Sequence, residues 1–380
     1  MFKNKFFGFA IIAGIILTFV LALAQIPVKQ AKLQEVPLAI VNEDQGQLGQ
    51  KVVDKVTEHD KSSDKRAAFK WSKVSSTTTL KSDMNHQHYY GAIVIPKDFS
   101  KKIGTLATSN TAQPAQVKIY INEAKNSTLA TSLKSGLTAM VGGIGQGIQG
   151  QIVGQLAQHH VSVSASAVTR LSNPIVADVE TVHSTKGLTA ANTVFFQPIW
   201  LASLVVSLLL FYAGKEIKFT KRTTRFGFKF IQVAVAAGLA LMIGFATTWY
   251  LGAILNYHFD NFGLVGMFVS LTSFAFIMLF SGVIAWLEFP GLIVFVLLLF
   301  FSAPLLTMAP EMLPNFYQNW VLPWLPMKPL FDGLKSILYY GAGLWNSSTQ
   351  TLVTVMIIGG VIFFAESLSS RNVKLETAKN

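Results

Sequence analysis

Residues 264–287 read LVGMFVSLTSFAFIMLFSGVIAWL and contain no Asp, Glu, Lys, Arg or His. About 20 apolar residues in a helix cross the roughly 30 Å of hydrocarbon in a bilayer. Similar uncharged stretches cover residues 6–26, 194–214, 230–255, 292–308 and 349–365. The sequence therefore predicts a mainly α-helical membrane protein with six transmembrane helices.

The composition supports the same class of protein. Of 380 residues, 51% are hydrophobic and only 13% are charged, whereas soluble domains have about 25% charged residues. This excludes a soluble globule, and the high hydrophobicity excludes a disordered chain. The net charge of +12 indicates basic loops beside a membrane and no nucleic-acid partner. The absence of cysteine excludes a disulfide scaffold and zinc-thiolate sites.

The first apolar stretch allows two interpretations. Lys3 and Lys5 precede it, and Ala22-Leu23-Ala24 has the small-x-small pattern of a signal-peptide cleavage site. Its apolar run exceeds the usual core of about 7–15 residues, which favours a retained anchor. In both interpretations the segment that follows is exported.

Basic residues predict the orientation. Six of them lie in residues 215–229, two precede the first stretch, and three lie in the tail, 367–380. The short loops on the opposite side hold only Lys328 and Lys335. Short basic loops stay in the cytoplasm. We therefore expect a protein of the bacterial cell membrane with both termini, including residues 1–5, in the cytoplasm and residues 27–193 outside.

The exported segment, 27–193, has the pattern of an extracytoplasmic α/β domain inserted between the first and second spans. Predicted strands at 36–41, 69–74, 90–95 and 117–121 alternate with predicted helices at 48–56, 78–88 and 99–106. Residues 127–157 predict one long glycine-rich helix, which either packs closely on another helix or a second copy, or forms a flexible stalk. Residues 158–193 are expected to return the chain to the membrane.

The last outer loop, 309–348, is rich in proline and aromatic residues. We interpret it as short helices that lie at the outer leaflet or re-enter it; a passive aromatic belt is the alternative. One predicted helical face contains Leu330, Phe331, Leu334, Ile337 and Leu338.

The sequence offers no enzyme site. His86 with His88, and His159 with His160, are best interpreted as surface residues, because two imidazoles alone are weak evidence for a metal. Ion-driven carriers usually place ionisable residues in their spans, and here the nearest are Glu288 and Glu366, at predicted cytoplasmic ends. The chain also lacks the phosphate-binding G-x-x-x-x-G-K-[ST] motif. If it moves a substrate, the energy comes from another protein.

Four motifs, in order, resemble the YhgE/Pip branch of type-2 ABC transporter permeases. They are VPLAIVNEDQG at 36–46, YGAIVIPKDFS at 90–100, IYIN at 119–122 with Asn126, and LPWLPM at 322–327 followed by DGLK at 332–335. The resemblance covers nearly the whole chain. The longer members carry extended exported regions that this chain lacks, and the phage-receptor role of the family belongs to those regions.

The resemblance implies a non-catalytic permease that pairs with a second copy or a related permease. Cytosolic ATPase subunits would bind ATP and Mg²⁺, and this chain itself would hold no cofactor or metal. The implied ATPase contacts are Lys215, Lys218, Lys221, Arg222 and Arg225, although fixing topology and binding anionic lipid would also explain them. The implied re-entrant exit path contains Pro323, Trp324, Pro326, Met327, Asp332 and Gly333, and the exported-domain motif contains Asn42, Asp44, Gly46, Pro96 and Phe99.

These observations lead to one preferred function and two rivals. The preferred function is the membrane subunit of an exporter that moves a lipid, peptide, drug or envelope precursor outward. A cell-surface receptor or envelope scaffold without transport activity is the alternative. A membrane enzyme acting on lipids ranks last, because no catalytic cluster is present.

Overall fold

The computed structural model describes residues 5–58, 67–109, 111–217, 219 and 221–369. The chain divides into two compact units. The helical unit comprises Met1–Ala31 and Lys186–Asn380, and the sheet unit comprises Lys32–Thr185.

The chain begins with two helices, α1 (Lys5–Leu23) and α2 (Ile26–Lys29). Helix α1 covers most of the predicted first span. The apolar helical stretch that can be assigned here, Gly14–Lys29, is shorter than the candidate spans described below. The sixth transmembrane helix therefore stays a prediction.

In the part of the chain that the structure describes, the sheet unit is built on five strands in the order β2-β1-β3-β4-β5. Strand β1 pairs in parallel with β2 and β3, β3 pairs antiparallel with β4, and β4 pairs in parallel with β5. The sheet is therefore mixed. Its strands are β1 (Val36–Asn42), β2 (Phe69–Val74), β3 (Gly91–Ile95), β4 (Ala115–Asn122) and β5 (Ile175–Val182), and its helices are α3 (Gln47–Glu58), α4 (Thr77–Asn85), α5 (Phe99–Thr105), α6 (Ser127–Gln158) and α7 (Ala165–Leu171).

Helices cover both faces of this sheet. Alternate strand residues, such as Val41 and Val94, pack with Leu80 and Met84 of α4. The opposite face approaches α6, where Leu137 lies close to Gly91. Because β1 and β3 are buried on both faces, they are apolar at almost every position.

The predicted alternation of strands and helices from residue 36 to 122 agrees with the observed elements, and β2 has the predicted bounds. The expectation for residues 158–193 was incomplete, because this segment forms α7 and β5 before it leaves the sheet unit. Strand β5 lies at the edge of the sheet. Its outward positions include Asp178 and Glu180, so the strand lacks the apolar run by which the central strands were predicted.

Among its described residues, the helical unit contains five helical segments long and apolar enough to cross a membrane, which indicates a multi-pass membrane protein. A short helix, α8 (Ala191–Val194), leads into the first of them. The spanning helices are α9 (Phe196–Glu216), α10 (Arg222–Leu255), α11 (Phe262–Leu287), α12 (Phe289–Thr307) and α14 (Ser347–Ser367), and α13 (Lys328–Tyr340) precedes the last.

Helix α11 is the centre of this bundle. It contacts α9, α10, α12, α13 and α14. Of its most apolar 18-residue segment, 72% is buried, against 28–39% of the corresponding segments in the other four candidate spans. Glycines allow close approach of the helices: a Cβ atom on Gly359 of α14 would lie 2.5 Å from the backbone nitrogen of Leu279. Small residues at such crossings are characteristic of helix packing in membranes.

Helix α10 differs from its prediction in one respect that matters for the site. The predicted span began at residue 230, but the helix begins at Arg222. The second half of the predicted basic loop, 215–229, is therefore the first two turns of α10. Hydropathy marks the apolar part of a helix and does not report where its first turn forms.

Residues 309–340 form short turns and one amphipathic helix. They contain 3₁₀ turns at Pro310–Met312 and Leu322–Trp324 and a π-helical turn at Tyr317–Val321. Of the predicted apolar face of α13, Leu330, Phe331, Leu334 and Ile337 are buried. Phe316, Trp320 and Trp324 are exposed, as aromatic residues at a membrane interface are.

Candidate functional site

The ionisable side chains of the five candidate spans lie at one end of the bundle. Helix α9 ends with Lys215 and Glu216, α10 begins with basic residues, and α14 ends with Glu366. The remaining positions of these five helices carry no Asp, Glu, Lys, Arg or His. We call this the charged end; the basic residues predict that it faces the cytoplasm.

A buried ion cluster occupies the charged end. Arg225, Lys229 and Glu366 are 8%, 5% and 7% exposed. Arg225 and Lys229 share one face of α10 because they are four residues apart. Arg225 Nη2 donates to Glu366 Oε1, and Lys229 Nζ lies 3.0 Å from Glu366 Oε2. The cluster joins the start of α10 to the end of α14.

An aromatic ring completes the surroundings of Lys229. Its Nζ lies 3.6 Å from the ring centroid of Phe363, which is a cation–π geometry. Phe363 also borders a small cavity with Ser207, Gln232 and Ser281, which has room for about one water molecule. Gln232 donates to the carbonyl of Leu210 at 2.8 Å. Polar groups thus continue one turn beyond the ion cluster into the bundle.

The cluster is not balanced in charge. When all three side chains are ionised, two cations share one carboxylate, which leaves one positive charge in excess. Arg225 Nη1 is buried and has no hydrogen-bond partner in the part of the chain that the structure describes. An unpaired polar group in such a position is costly, so this nitrogen is the strongest sign of a missing acceptor.

The predicted ATPase-contact residues separate into three groups. Lys215 is exposed and pairs with Glu288 at 2.9 Å, and Lys221 and Arg222 are exposed at the start of α10. Arg225 is held in the buried cluster. Lys218 lies outside the described residues. The ATPase contact itself stays a prediction, and Lys215, Lys221 and Arg222 are the accessible residues for it.

The sequence did not indicate the partner of Glu366. The sequence placed Glu366 only at the predicted cytoplasmic end of a span, whereas the structure buries it against α10. The contact joins residues 141 positions apart, so no local pattern contains it. The available signal was the spacing of Arg225, Lys229 and Gln232, which continues the buried face of α10 with polar residues.

The predicted exit-path residues lie just before α13 and within its first half. Pro323 and Trp324 are exposed, Pro326 is half-buried and Met327 is buried. Asp332 lies 2.5 Å from Lys328 Nζ and 3.9 Å from Lys335 Nζ.

Two further residues of α13 are constrained by their surroundings. A Cβ atom on Gly333 would overlap the ring of Phe268, so glycine permits this contact between α13 and α11. Burial lowers the pKa of Lys335, and the nearby Asp332 opposes that shift.

The motif of the sheet unit forms a structural turn. Asp44 accepts hydrogen bonds from Ser100 N and Gly49 N, both at 3.1 Å, and from Ser100 Oγ at 2.5 Å. It therefore joins the first turns of α3 and α5. Asn42 Oδ1 accepts from Asp44 N, and a Cβ atom on Gly46 would collide with Ser100.

The rest of the motif fixes α5. Pro96 accepts from Phe99 N at 3.1 Å, and Phe99 is fully buried. The neighbouring Glu43 accepts from the backbone and hydroxyl of Thr77, and the hydroxyl bond is the main reason that its pKa is lowered. These motif residues position the helices that follow β1 and β3, and their polar atoms make the hydrogen bonds that hold those helices in place.

Neither curated proteins nor solved structures include a match to this chain. A family model described as "Protein of unknown function (DUF3533)" matches residues 7–357. The match spans most of the helical unit and the whole sheet unit. The chain therefore belongs to the DUF3533 family.

Proposed function

We propose that this chain is the membrane subunit of an ABC-type exporter whose energy comes from a separate cytosolic ATPase. The observation that carries the proposal is the distribution of charge in the bundle. Every Asp, Glu, Lys and Arg side chain of the five candidate spans lies at the charged end, whereas ion-coupled carriers use ionisable groups within their spans. With no nucleotide-binding motif of its own, such a transporter requires an external motor.

The charged end offers a surface for that motor. Lys215, Lys221 and Arg222 are exposed on or next to the short connection between α9 and α10. A basic surface suits an acidic partner through electrostatic complementarity. The resemblance to type-2 permeases supports the same arrangement, with a second copy or a related permease completing the transporter.

The opposite end has features suited to release of an amphipathic substrate. Trp320 and Trp324 are 73% and 60% exposed, and they lie just before the α13 residues of the predicted exit path. Aromatic side chains with one polar end favour an apolar–water boundary. The proposed substrate is a lipid, peptide, drug or envelope precursor, which would move outward by alternating access.

Charge reversal of the exposed pair at the start of α10 tests the proposal. The variant Lys221→Glu with Arg222→Glu should lose the co-purifying ATPase and at least about tenfold of ATP-dependent efflux from vesicles, because a like-charge contact is strongly unfavourable. The matched control is Lys51→Glu with Lys134→Glu, which makes the same charge change at exposed positions of the sheet unit. The control should retain both activities.

The receptor or scaffold remains the rival function. If no ATPase associates with the wild-type chain and vesicles show no ATP-dependent efflux, the transport proposal is wrong. A chimera in which one unrelated anchor replaces all the spans also distinguishes a receptor from a transporter. A receptor would keep its activity in that chimera, whereas a transporter would lose it.

A further inference from the structure

We propose that the Arg225–Lys229–Glu366 cluster is a binding site for a phosphate-type oxyanion. The oxyanion is either the headgroup phosphate of an anionic phospholipid or a soluble phosphate compound. This proposal concerns the helical unit alone and holds whether or not the chain is a transporter.

Charge balance is the first argument. Arg225, Lys229 and Glu366 are 8%, 5% and 7% exposed, and together they carry one excess positive charge when all are ionised. Buried charges in proteins are normally paired or coordinated. No second carboxylate lies in an ion pair with Arg225 or Lys229 among the described residues. A bound anion would neutralise the cluster.

Hydrogen-bond geometry is the second argument. An arginine commonly binds a carboxylate with two parallel N–H donors. Here Lys229 pairs with Glu366 Oε2, and Arg225 donates to Glu366 Oε1 through Nη2 alone. Its Nη1 is left buried without an acceptor in the described part of the chain. A guanidinium edge with two spare N–H donors fits the oxygens of a phosphate group.

The start of α10 adds a third, independent contribution. The side chain of the N-cap residue, Lys221, makes no capping hydrogen bond to the described residues, and the first turn of the helix contains no acidic residue. The N-terminus of a helix carries a partial positive charge and free backbone N–H groups, which attract anions. Arg222, one turn before Arg225, is exposed. The approach to the cluster along this helix is therefore positively charged.

An apolar surface next to the cluster favours the lipid as source. Phe226 and Phe230 lie on α10, and both pack against Phe364 of α14 with ring centroids 5.3 and 4.8 Å apart. Phe226 and Phe230 are exposed. A phospholipid would place its phosphate at the cations and its acyl chains along these rings. A soluble phosphate compound would use only the cations.

Binding can be measured on the full-length chain purified in a neutral detergent. The probes are inorganic phosphate and phosphatidylglycerol in mixed micelles, with sodium chloride at equal ionic strength as the reference, and the readout is the shift in thermal unfolding with probe concentration. We expect saturable stabilisation by phosphatidylglycerol or phosphate beyond that of sodium chloride. Stabilisation by phosphatidylglycerol alone identifies the headgroup as the ligand, and stabilisation by phosphate identifies a soluble oxyanion.

Variants link the effect to the cluster. Arg225→Gln removes the excess charge and the unpaired donor, so its affinity should fall about tenfold or more, the loss expected for a hydrogen bond to a charged group. The exposed residue Lys134 of the sheet unit provides the control, and Lys134→Gln, which also removes one positive charge, should change the affinity by less than about threefold. Glu366→Gln should bind the probe more tightly, because the competing carboxylate is removed.

The last variant separates a binding site from a merely structural cluster. Loss of a structural ion pair would lower stability and would not increase affinity for an anion. The proposal is overturned if no probe stabilises the wild type beyond sodium chloride, if Arg225→Gln binds as the wild type does, or if Glu366→Gln weakens binding. If Arg225→Gln does not fold, Lys229→Gln takes its place, with the same expected loss.

Discussion

Replacing Asp44 by alanine should destabilise the sheet unit more than removal of any exposed ion pair. One carboxylate of Asp44 accepts three hydrogen bonds, from Ser100 N, Ser100 Oγ and Gly49 N. The residues that donate them begin two different helices. The substitution therefore removes the acceptor that fixes α3 and α5 to the turn after β1.

The magnitude follows from these contacts. A hydrogen bond to a charged group contributes about 1.5–3 kcal/mol, and the contributions are not additive. Asp44 and Ser100 are half-buried, so water replaces part of the lost interactions. We expect a loss of about 2–4 kcal/mol in the free energy of unfolding of the sheet unit.

A second acid at the start of α5 provides the matched control. Asp98 pairs with Lys102 at 3.0 Å, but its side chain is 48% exposed, and it makes no capping hydrogen bond. Asp98→Ala should therefore cost less than about 1 kcal/mol.

Hydrogen exchange of the buried amides in β1 and β3 measures both variants in the full-length chain, because opening of these strands reports the sheet unit alone. Ser100→Ala should also interact strongly with Asp44→Ala in a double-mutant cycle. If Asp44→Ala costs no more than Asp98→Ala, the turn does not hold the two helices and the interpretation is refuted.

Three further predictions concern packing and titration. In a thermal unfolding assay, Gly359→Ala should destabilise the helical unit by about 1–3 kcal/mol, because its Cβ atom would lie 2.5 Å from the backbone of α11. Gly238→Ala, with no atom within 4 Å of its Cβ position, is the control and should leave the stability unchanged. Because the pKa of Glu43 lies below its ordinary value of 4.5, ionised Glu43 stabilises the sheet unit above that pH, and this stabilisation is lost on acidification. Glu43→Gln should therefore reduce the loss of stability on acidification, as measured by pulse proteolysis of the sheet unit. Burial and nearby carboxylates raise the pKa of Tyr120 to about 12 from 10.0. Its contribution to the free energy of unfolding is therefore complete below pH 10 and is lost as the pH approaches 12. Tyr120→Phe should remove the step at the highest pH from the tyrosinate absorbance titration.

The sequence predicts those elements of this protein whose signal is local. The bounds of β2 were predicted without error, and β1 and β3 were found because their residues are apolar on both faces. Strand β5 was missed because it is an edge strand that carries Asp178 and Glu180 on its exposed side. The alternation of Ile175, Ala177 and Val179 was present, but it required a partner strand, β4, to be recognised as part of the sheet.

The candidate site is harder to predict because its contacts are distant in sequence. The basic character of residues 215–229 was evident, but a count of charges does not distinguish an exposed lysine from a buried one. Glu366 and Arg225 are 141 residues apart and meet only when α10 and α14 pack on α11. The excess charge and the unpaired Nη1 are properties of that packing, so they could be identified only from the structure.

The position of the cluster also restricts how the bundle can move. Helices α10 and α14 both pack chiefly against α11, and Glu366 joins them directly at the charged end. Separating them there would leave buried charges unpaired, which costs about 3–5 kcal/mol. A partner that binds the exposed Lys221 and Arg222 would act within about one helical turn of Arg225. An anion held by Arg225 and Lys229 would lower the cost of separation, because each cation would keep a counter-charge after Glu366 withdraws. Binding of the anion and opening of this end would then be coupled, and the coupling would be visible as anion-dependent hydrogen exchange in the first turns of α10.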